Sequence, residues 1–536
     1  MPTLTIEGRE VTVPEGTSVL EAARRLGIEI PTFCHHPALS VAGNCRMCLV
    51  EVEKQPRLQA SCALPAAEGM VVRVSSEKAV AARRAAIEFM LANHPLDCPI
   101  CDKAGECLLQ DNAMEHGLLR SRFRLAKNRK PKAVDAGPHV ILDAERCIMC
   151  GRCVRFLDEV TKTRELGIFG RGNREEIGVP PGERLDNPYS GNVADLCPVG
   201  ALTLKEFRFQ SRVWFLAKTD SVCPSCARGC NVSIETNTSP INKTGNRRVY
   251  RLTPRFNERV NGHWMCDEGR FGFRFVDENR VPSPAVREGG TPVPVSWDEA
   301  FAALKGMLGS ADPRRVAVML SRGSTLEDLF LAREFASACL KGARVTAGAP
   351  SDRPPVGDGF LVEPDKWPNT AGARALGLDC SEEGWGKAVD AAKRGGVEVL
   401  VIVGHDLFPV LGSGEAESVL RRAGRIVVLA RNVSATTARA DLLLPVAAFA
   451  ERDGTYVNGL GRVQRLRRAV PPLGSALPEW LVWKEMTGRF GFPWLARSEA
   501  EVFAAMAREV PALEGLTWDG IGSEGVPVRG PAGRKP

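Results

Sequence analysis

After Cys380 the chain of 536 residues contains no cysteine, and it has only three tyrosines in all. No basic stripe interleaved with aromatics occurs, and the net charge of +7 is mild for this length. Together these give no case for nucleic-acid binding. The opening MPTLTIEGRE carries charge and lacks an apolar h-region, so no secretory signal is expected. No run reaches the ~18 apolar residues of a membrane span. The longest apolar stretch, Leu442–Ala450, is interrupted by Pro445. Membrane contact is therefore expected only through partners. Gly170-Arg171-Gly172 lacks the third glycine, the preceding strand and the downstream acid of a dinucleotide fingerprint. No G-x-x-x-x-G-K-[ST] occurs either, so no phosphate-binding loop is expected.

What the chain has in quantity is cysteine, 17 residues of it, nearly all before residue 270. A hydrophobic content of 44% is that of an ordinary soluble globular protein. At this length several domains are expected, since single cores rarely exceed ~250–300 residues. Such a chain has no need of disulfide staples, and metal or cluster ligation accounts better for so many thiols. With one histidine they form four groups of four: Cys34, Cys45, Cys48, Cys62; His94, Cys98, Cys101, Cys107; Cys147, Cys150, Cys153, Cys197; and Cys223, Cys226, Cys230, Cys266. Four ligands suit a tetrahedral metal ion or an iron–sulfur cluster. Cys339 and Cys380 are left over. They read as structural thiols.

Residues 3–13, TLTIEGREVTV, alternate and turn at Glu7-Gly8, which predicts a β-hairpin. Ser18 and Glu21 form a capping box for a helix Val19–Leu26, closed by Gly27. Strand, turn, strand, helix, then a cysteine loop is a β-grasp order. The spacing Cys34-x10-Cys45-x2-Cys48-x13-Cys62 is not the plant-type one. It resembles the [2Fe–2S] domain that opens the large iron–sulfur subunit of respiratory complex I and of related hydrogenases. A helix is predicted from Ser76 to about Asn93, ending at His94-Pro95. Next comes His94-x3-Cys98-x2-Cys101-x5-Cys107. Three cysteines alone would leave one corner open, and imidazole can replace thiolate on cluster iron. This motif, NHPLDCPICDKAGECLLQD, also resembles the complex I and hydrogenase pattern.

Residues 120–132, RSRFRLAKNRKPK, are strongly basic. They suit a solvated linker, or a charge that offsets anionic clusters or docks an acidic partner. Cys147-x2-Cys150-x2-Cys153 is the bacterial ferredoxin run, and Cys197-Pro198 is the ferredoxin ending. The other three positions of that second run are Asn187, Ser190 and Val193, which cannot ligate as cysteine does. This looks like a two-cluster ferredoxin that lost one cluster. The fourth group, Cys223-x2-Cys226-x3-Cys230-x35-Cys266, taken alone suits zinc at least as well as a cluster. Its surroundings, SVCPSCARGCNVSI and HWMCDEGRFG, resemble the [4Fe–4S] domain of molybdopterin oxidoreductases.

From Val281 the texture becomes α/β, with strands expected at Val316–Leu320, Val397–Val403 and Ile426–Ala430 and a helix near Thr325–Leu340. VSWDEA, KWPNTAGA and ARADLLLPVAAFAERDGTYVNGLGRVQ resemble the molybdopterin-binding part of the same oxidoreductases. No metal-ligating cysteine or Ser-rich loop accompanies them.

The four ligand sets in this order resemble the large iron–sulfur subunit, the G-type subunit, of NADH:quinone oxidoreductase, respiratory complex I. The resemblance implies an α+β multidomain chain. Its parts are a β-grasp [2Fe–2S] ferredoxin domain (1–77), a [4Fe–4S] domain ligated by one histidine and three cysteines (78–117) and a ferredoxin-like [4Fe–4S] domain (138–210). A [4Fe–4S] domain of molybdopterin-oxidoreductase type (216–272), a shortened α/β region of that type (273–521) and a disordered tail (522–536) follow. It implies one [2Fe–2S] and three [4Fe–4S] clusters on the residues named, no molybdopterin and no catalytic residue. The implied function is an electron relay from an NADH/FMN-binding partner subunit toward quinone, coupled by the whole complex to proton translocation. Partners would include the cluster subunits leading to quinone, in a peripheral arm on the cytoplasmic side of the inner membrane. The alternatives are a cluster subunit of an NAD-coupled hydrogenase or formate dehydrogenase, and a zinc-rich structural or nucleic-acid-binding protein.

Overall fold

A computed structural model describes residues 1–118, 120–237, 239 and 247–529, in two compact units, Met1–Leu216 and Ala217–Pro536. The first unit opens with the expected hairpin. Thr3–Ile6 pairs antiparallel with Arg9–Thr12. Glu7 and Gly8 both take positive φ, 48° and 75°, as a two-residue hairpin turn requires. Helix Val19–Arg25 carries the reciprocal Ser18/Glu21 capping box. The chain returns through Leu49–Val52 and Gln59–Ala60 to Val71–Arg73, which lies parallel to the first strand. The order is Arg9–Thr12, Thr3–Ile6, Val71–Arg73, Leu49–Val52, Gln59–Ala60. A helix over this mixed sheet is the expected β-grasp. Leu4, Ile6, Val19, Leu20, Val50 and Val72 form its core, and Cys48 and Cys62 belong to the same cluster.

Helix Glu77–Asn93 follows, with Ser76 accepting from the Ala79 N–H. It stops at His94, whose extended backbone precedes Pro95, as a pre-proline residue prefers. A short 3-10 turn Cys98–Ile100 and helix Leu108–His116 complete the second segment. The basic run does not stand off as a linker. Arg122 donates to Glu88 at 2.7 Å, Lys127 Nζ donates to the Leu91 and Ala92 carbonyls at the C-terminal end of the long helix, and Lys132 bridges Asp97 and Glu145. The strand ladder Leu202–Leu204, Val140–Leu142, Val134–Asp135 and the helices Arg152–Glu159 and Asn192–Leu196 form the ferredoxin-like part.

The second unit begins with a three-stranded sheet, Leu216–Val222, Asn231–Asn237 and Val249–Pro254, the last two antiparallel. Beyond it lies a seven-stranded sheet. Its order is Thr291–Pro294, Ala285–Glu288, Leu442–Pro445, Arg425–Ala430, Val399–Val403, Val316–Met319, Arg344–Thr346. The last five are mutually parallel and the first two antiparallel. All five side chains of Val399–Val403 are buried, because helices and apolar clusters cover both faces.

The expected disorder from Gly522 does not hold for 522–529. Val526–Pro527 adds to Arg462–Leu466 as an edge strand, and Val526 and Val528 pack on the main core. The Ser523 and Glu524 carbonyls accept from Arg255 and Asn257. Glycine- and proline-rich composition reads as disorder, yet a two-residue strand needs only a partner edge. Residues 530–536 of that expectation lie outside the described residues.

Candidate metal centres

In the first group the loop after the β-grasp helix brings Cys48 and Cys62 sulfurs to 3.3 Å. The Phe33 N–H donates to Cys45 Sγ at 3.5 Å. Hydrogen bonding between paired sulfurs lowers Cys34 and raises Cys45, and likewise lowers Cys48 and raises Cys62.

In the second group Cys101 and Cys107 are buried, whereas Cys98 is exposed. Burial, reinforced by the charges of Lys127 and Arg146, pushes His94 down to about 4. The imidazole is neutral at ordinary pH, as a ligand must be. Its Nδ1 is buried with no hydrogen-bond partner. An orphaned buried nitrogen beside three cysteines fits a metal centre.

The third group shows the cleanest convergence. Cys147, Cys150, Cys153 and Cys197 line one small cavity, walled by Leu142, Ile148, Ile177, Val199 and Leu202. Helix Arg152–Glu159 starts after Gly151, at φ 69°, and carries Cys153. Helix Asn192–Leu196 ends on Cys197. Burial pushes Cys147 up to about 12 and Cys150 to about 11. Without a cation these thiols keep their protons, and a coordinating metal displaces them. The Met149 N–H donates to Cys147 Sγ at 3.4 Å. At the vacated positions Asn187 accepts from the Tyr189 N–H and Val193 is fully buried in the core.

In the fourth group Cys223 follows a strand and its N–H donates to the Cys230 carbonyl at 2.9 Å. Cys266 caps helix Asp267–Phe271, its sulfur accepting from the Gly269 N–H at 3.4 Å. Burial raises all four thiols, Cys223 to about 11.

Among the described residues no three His, Cys, Asp or Glu side chains meet as a single ion requires. Sulfurs at the corners of a multi-iron core need not. Two glycines that sequence reasoning passed over complete the sites. A Cβ at Gly200 would lie 2.1 Å from Cys101 Sγ, and one at Gly269 would lie 2.9 Å from Cys223 Sγ. Only a bare backbone approaches these sulfurs so closely. Gly200 follows Pro198-Val199 after the ferredoxin ending, which was the available signal.

The α/β sheet has a topological switch between Val316–Met319 and Val399–Val403, where such folds take ligands at the strand carboxyl ends. Here it is filled. His405, 6% exposed, has its Nε2 3.0 Å from the Leu320 carbonyl oxygen and packs on Trp367 and Trp385, each at 5.3 Å. A Cβ at Gly404 would lie 3.1 Å from the Ser321 side chain. Cys339 and Cys380, half-buried, pack on the core.

Comparison with known proteins matches five families in order. Residues 1–77 match a 2Fe-2S iron-sulfur cluster binding domain. Residues 83–122 match the NADH-ubiquinone oxidoreductase-G iron-sulfur binding region. Residues 137–203 match the ferredoxin-like domain of NADH-quinone oxidoreductase subunit 3, 216–278 the molybdopterin oxidoreductase Fe4S4 domain, and 368–489 molybdopterin oxidoreductase. The G subunit of NADH-quinone oxidoreductase from Streptomyces coelicolor is 42% identical over 345 residues, 63% of this chain and 40% of that protein. The G subunit from Rickettsia bellii is 40% identical over 332 residues, 62% of this chain and 47% of that protein. The mitochondrial NADH-ubiquinone oxidoreductase 78 kDa subunit of Neurospora crassa is 39% identical over 362 residues, 67% of this chain and 47% of that protein. The chain spans less than half the length of these relatives. A chain of an NAD+-reducing [NiFe]-hydrogenase in the H2-reduced state is 37% identical with a TM-score of 0.36, covering 40% of this chain and 91% of that one. No described helix is long and apolar enough to cross a membrane. The chain carries binding domains for both 2Fe-2S and 4Fe-4S clusters, and through them it is a relative of the NADH-quinone oxidoreductase G subunits.

Proposed function

We propose that this chain is the iron–sulfur electron-relay subunit of an NADH:quinone oxidoreductase. The observation that carries the reading is four successive ligand groups, the third converging on one apolar-walled cavity and the second holding a neutral His94 whose buried Nδ1 has no partner. Bound there, one [2Fe–2S] and three [4Fe–4S] clusters would carry electrons singly from an NADH/FMN-binding partner toward quinone, while the whole complex translocates protons. The chain's own residues hold, insulate and tune. Sixteen ligands are assigned: Cys34, Cys45, Cys48, Cys62; His94, Cys98, Cys101, Cys107; Cys147, Cys150, Cys153, Cys197; and Cys223, Cys226, Cys230, Cys266. Apolar walls keep water from the third cavity. The N–H groups of Phe33, Met149 and Gly269, aimed at ligand sulfurs, make the sites easier to reduce. The α/β region supports the fourth site and binds no molybdopterin, its switch point being filled by His405 and two tryptophans. Membrane contact runs through partner subunits of a peripheral arm on the cytoplasmic side.

The test is metal and sulfide content of anaerobically purified protein. One two-iron and three four-iron centres give fourteen irons with matching sulfide. About ten would remove the fourth cluster only. Stoichiometric zinc with little sulfide, or molybdenum, would overturn the reading. His94→Ala should delete or alter one [4Fe–4S] signal, and His94→Cys should restore a cluster of lower potential, because thiolate adds charge where imidazole had none.

A further inference from the structure

Between the second and third cysteine groups lies a cation that the ligand count does not use. Arg146 ends the 3-10 turn Ala144–Arg146 and directly precedes Cys147. Its side chain is 5% exposed. Two acids hold the guanidinium: Nε and Nη2 donate to Asp97 Oδ2 at 3.1 and 3.0 Å, and Nε lies 3.4 Å from Asp143 Oδ2. Asp143 is buried, and Lys132 reaches both acids from the outer side. The stem of Arg146 passes the second group. At Gly200 a Cβ would lie 2.1 Å from Cys101 Sγ and 3.7 Å from Arg146 Cδ, so stem and sulfur flank the same bare backbone. The guanidinium and the Cys101 sulfur interact by charge.

Burying a guanidinium is costly, and here it is held in one place by two carboxylates rather than left to reach solvent. Arg146 thus offers a fixed positive charge on the side of Cys101.

We propose that Arg146 tunes the second and third centres: its clamped guanidinium favours the reduced, more negative state of the cluster held by Cys101 and, to a smaller degree, of the one held by Cys147. The inference rests on the electron-relay reading above. A positive charge fixed beside a redox centre raises its potential, and the acids that clamp it partly offset that rise.

The test is potentiometric titration of the full-length protein, followed by electron paramagnetic resonance. Arg146→Met should lower the midpoint of the His94 cluster most, that of the Cys147 cluster less, and leave the [2Fe–2S] centre unmoved. Asp97→Asn should shift the His94 cluster the opposite way. Arg146→Lys should recover most of the midpoint, since the charge returns. Unmoved potentials in both Arg146→Met and Asp97→Asn would overturn the proposal, as would shifts of one sign in both. If Arg146→Met fails to assemble the cluster, Asp97→Asn and Arg146→Lys decide by the same signs. Absence of cluster signals in the unaltered protein would instead remove the relay reading itself.

Discussion

In residues 94–118 the fully buried side chains are Cys101, Asp102, Ala104, Cys107 and Leu109, whereas in the strand Val399–Val403 every side chain is buried. Around the second centre Phe89, Leu96, Ile100 and Met114 stand exposed at 60% or more. The α/β region instead sandwiches its sheet between two apolar clusters. One part has a hydrophobic core of its own, and the other is short of one. Where apolar burial is scarce, bound metal supplies folding free energy. On the proposed reading the cysteines of residues 94–118 would be structural as well as electronic, while the α/β region, with a core of its own, would not depend on a metal to stand.

The largest expected effect breaks the comparison directly. Chelating iron from the anaerobic, reduced protein should open residues 94–118 to cleavage at Lys103 and leave the strands Val316–Met319, Val399–Val403 and Arg425–Ala430 protected from hydrogen exchange. Equal protection of Lys103 before and after iron removal would show that the loop folds without metal.

A sharper cut uses the two glycines. Gly200→Ala puts a methyl 2.1 Å from Cys101 Sγ, which the sulfur cannot accommodate without moving. That variant should lose the His94 cluster and about four irons. Gly269→Ala meets Cys223 Sγ at 2.9 Å and Cys266 Sγ at 3.6 Å. In its better-supported surroundings it should keep the fourth cluster with an altered spectrum. Iron analysis decides, and equal losses would mean that the surrounding core does not buffer the site.

These glycines also mark where sequence stopped being legible. The hairpin at Glu7-Gly8, the Ser18/Glu21 box and the helix from Ser76 to Asn93 were readable because their causes are local. So were the cysteine groups, since ligand chemistry restricts residue type and spacing. The parallel strands announced themselves as unbroken apolar runs. Gly269 and Arg146 could not be singled out, and Gly200 only by its place after the ferredoxin ending, because each owes its role to a sulfur or acid brought near by folding. The pairing of 526–527 with residues 462–463 was hidden for the same reason. The basic run 120–132 allowed two readings until Glu88, Asp97 and Glu145 were seen beside it.

The smallest effect concerns acid groups inside the self-supporting region. Glu327 is fully buried at the start of helix Leu326–Cys339, and burial pushes its carboxyl up to about 7. Its oxygens accept from the Thr455 N–H and hydroxyl at 2.9 and 2.7 Å, which lowers it only in part, and neighbouring Asp328 adds to the rise. The unfolded chain titrates near ~4.3, so the folded state favours the protonated form. Its contribution is full below ~4.3, is lost as pH rises to about 7, and changes no further above that. Chemical unfolding followed by tryptophan fluorescence should show wild-type protein losing stability between pH 5 and 7.5, by on the order of 1–3 kcal/mol more than Glu327→Gln. The glutamine stays neutral throughout, so its profile should be flatter over that window while both proteins keep the same iron content. Parallel profiles would show that Glu327 is already ionised in the fold, and that the α/β region tolerates a buried charge as readily as the cysteine-rich one tolerates Arg146.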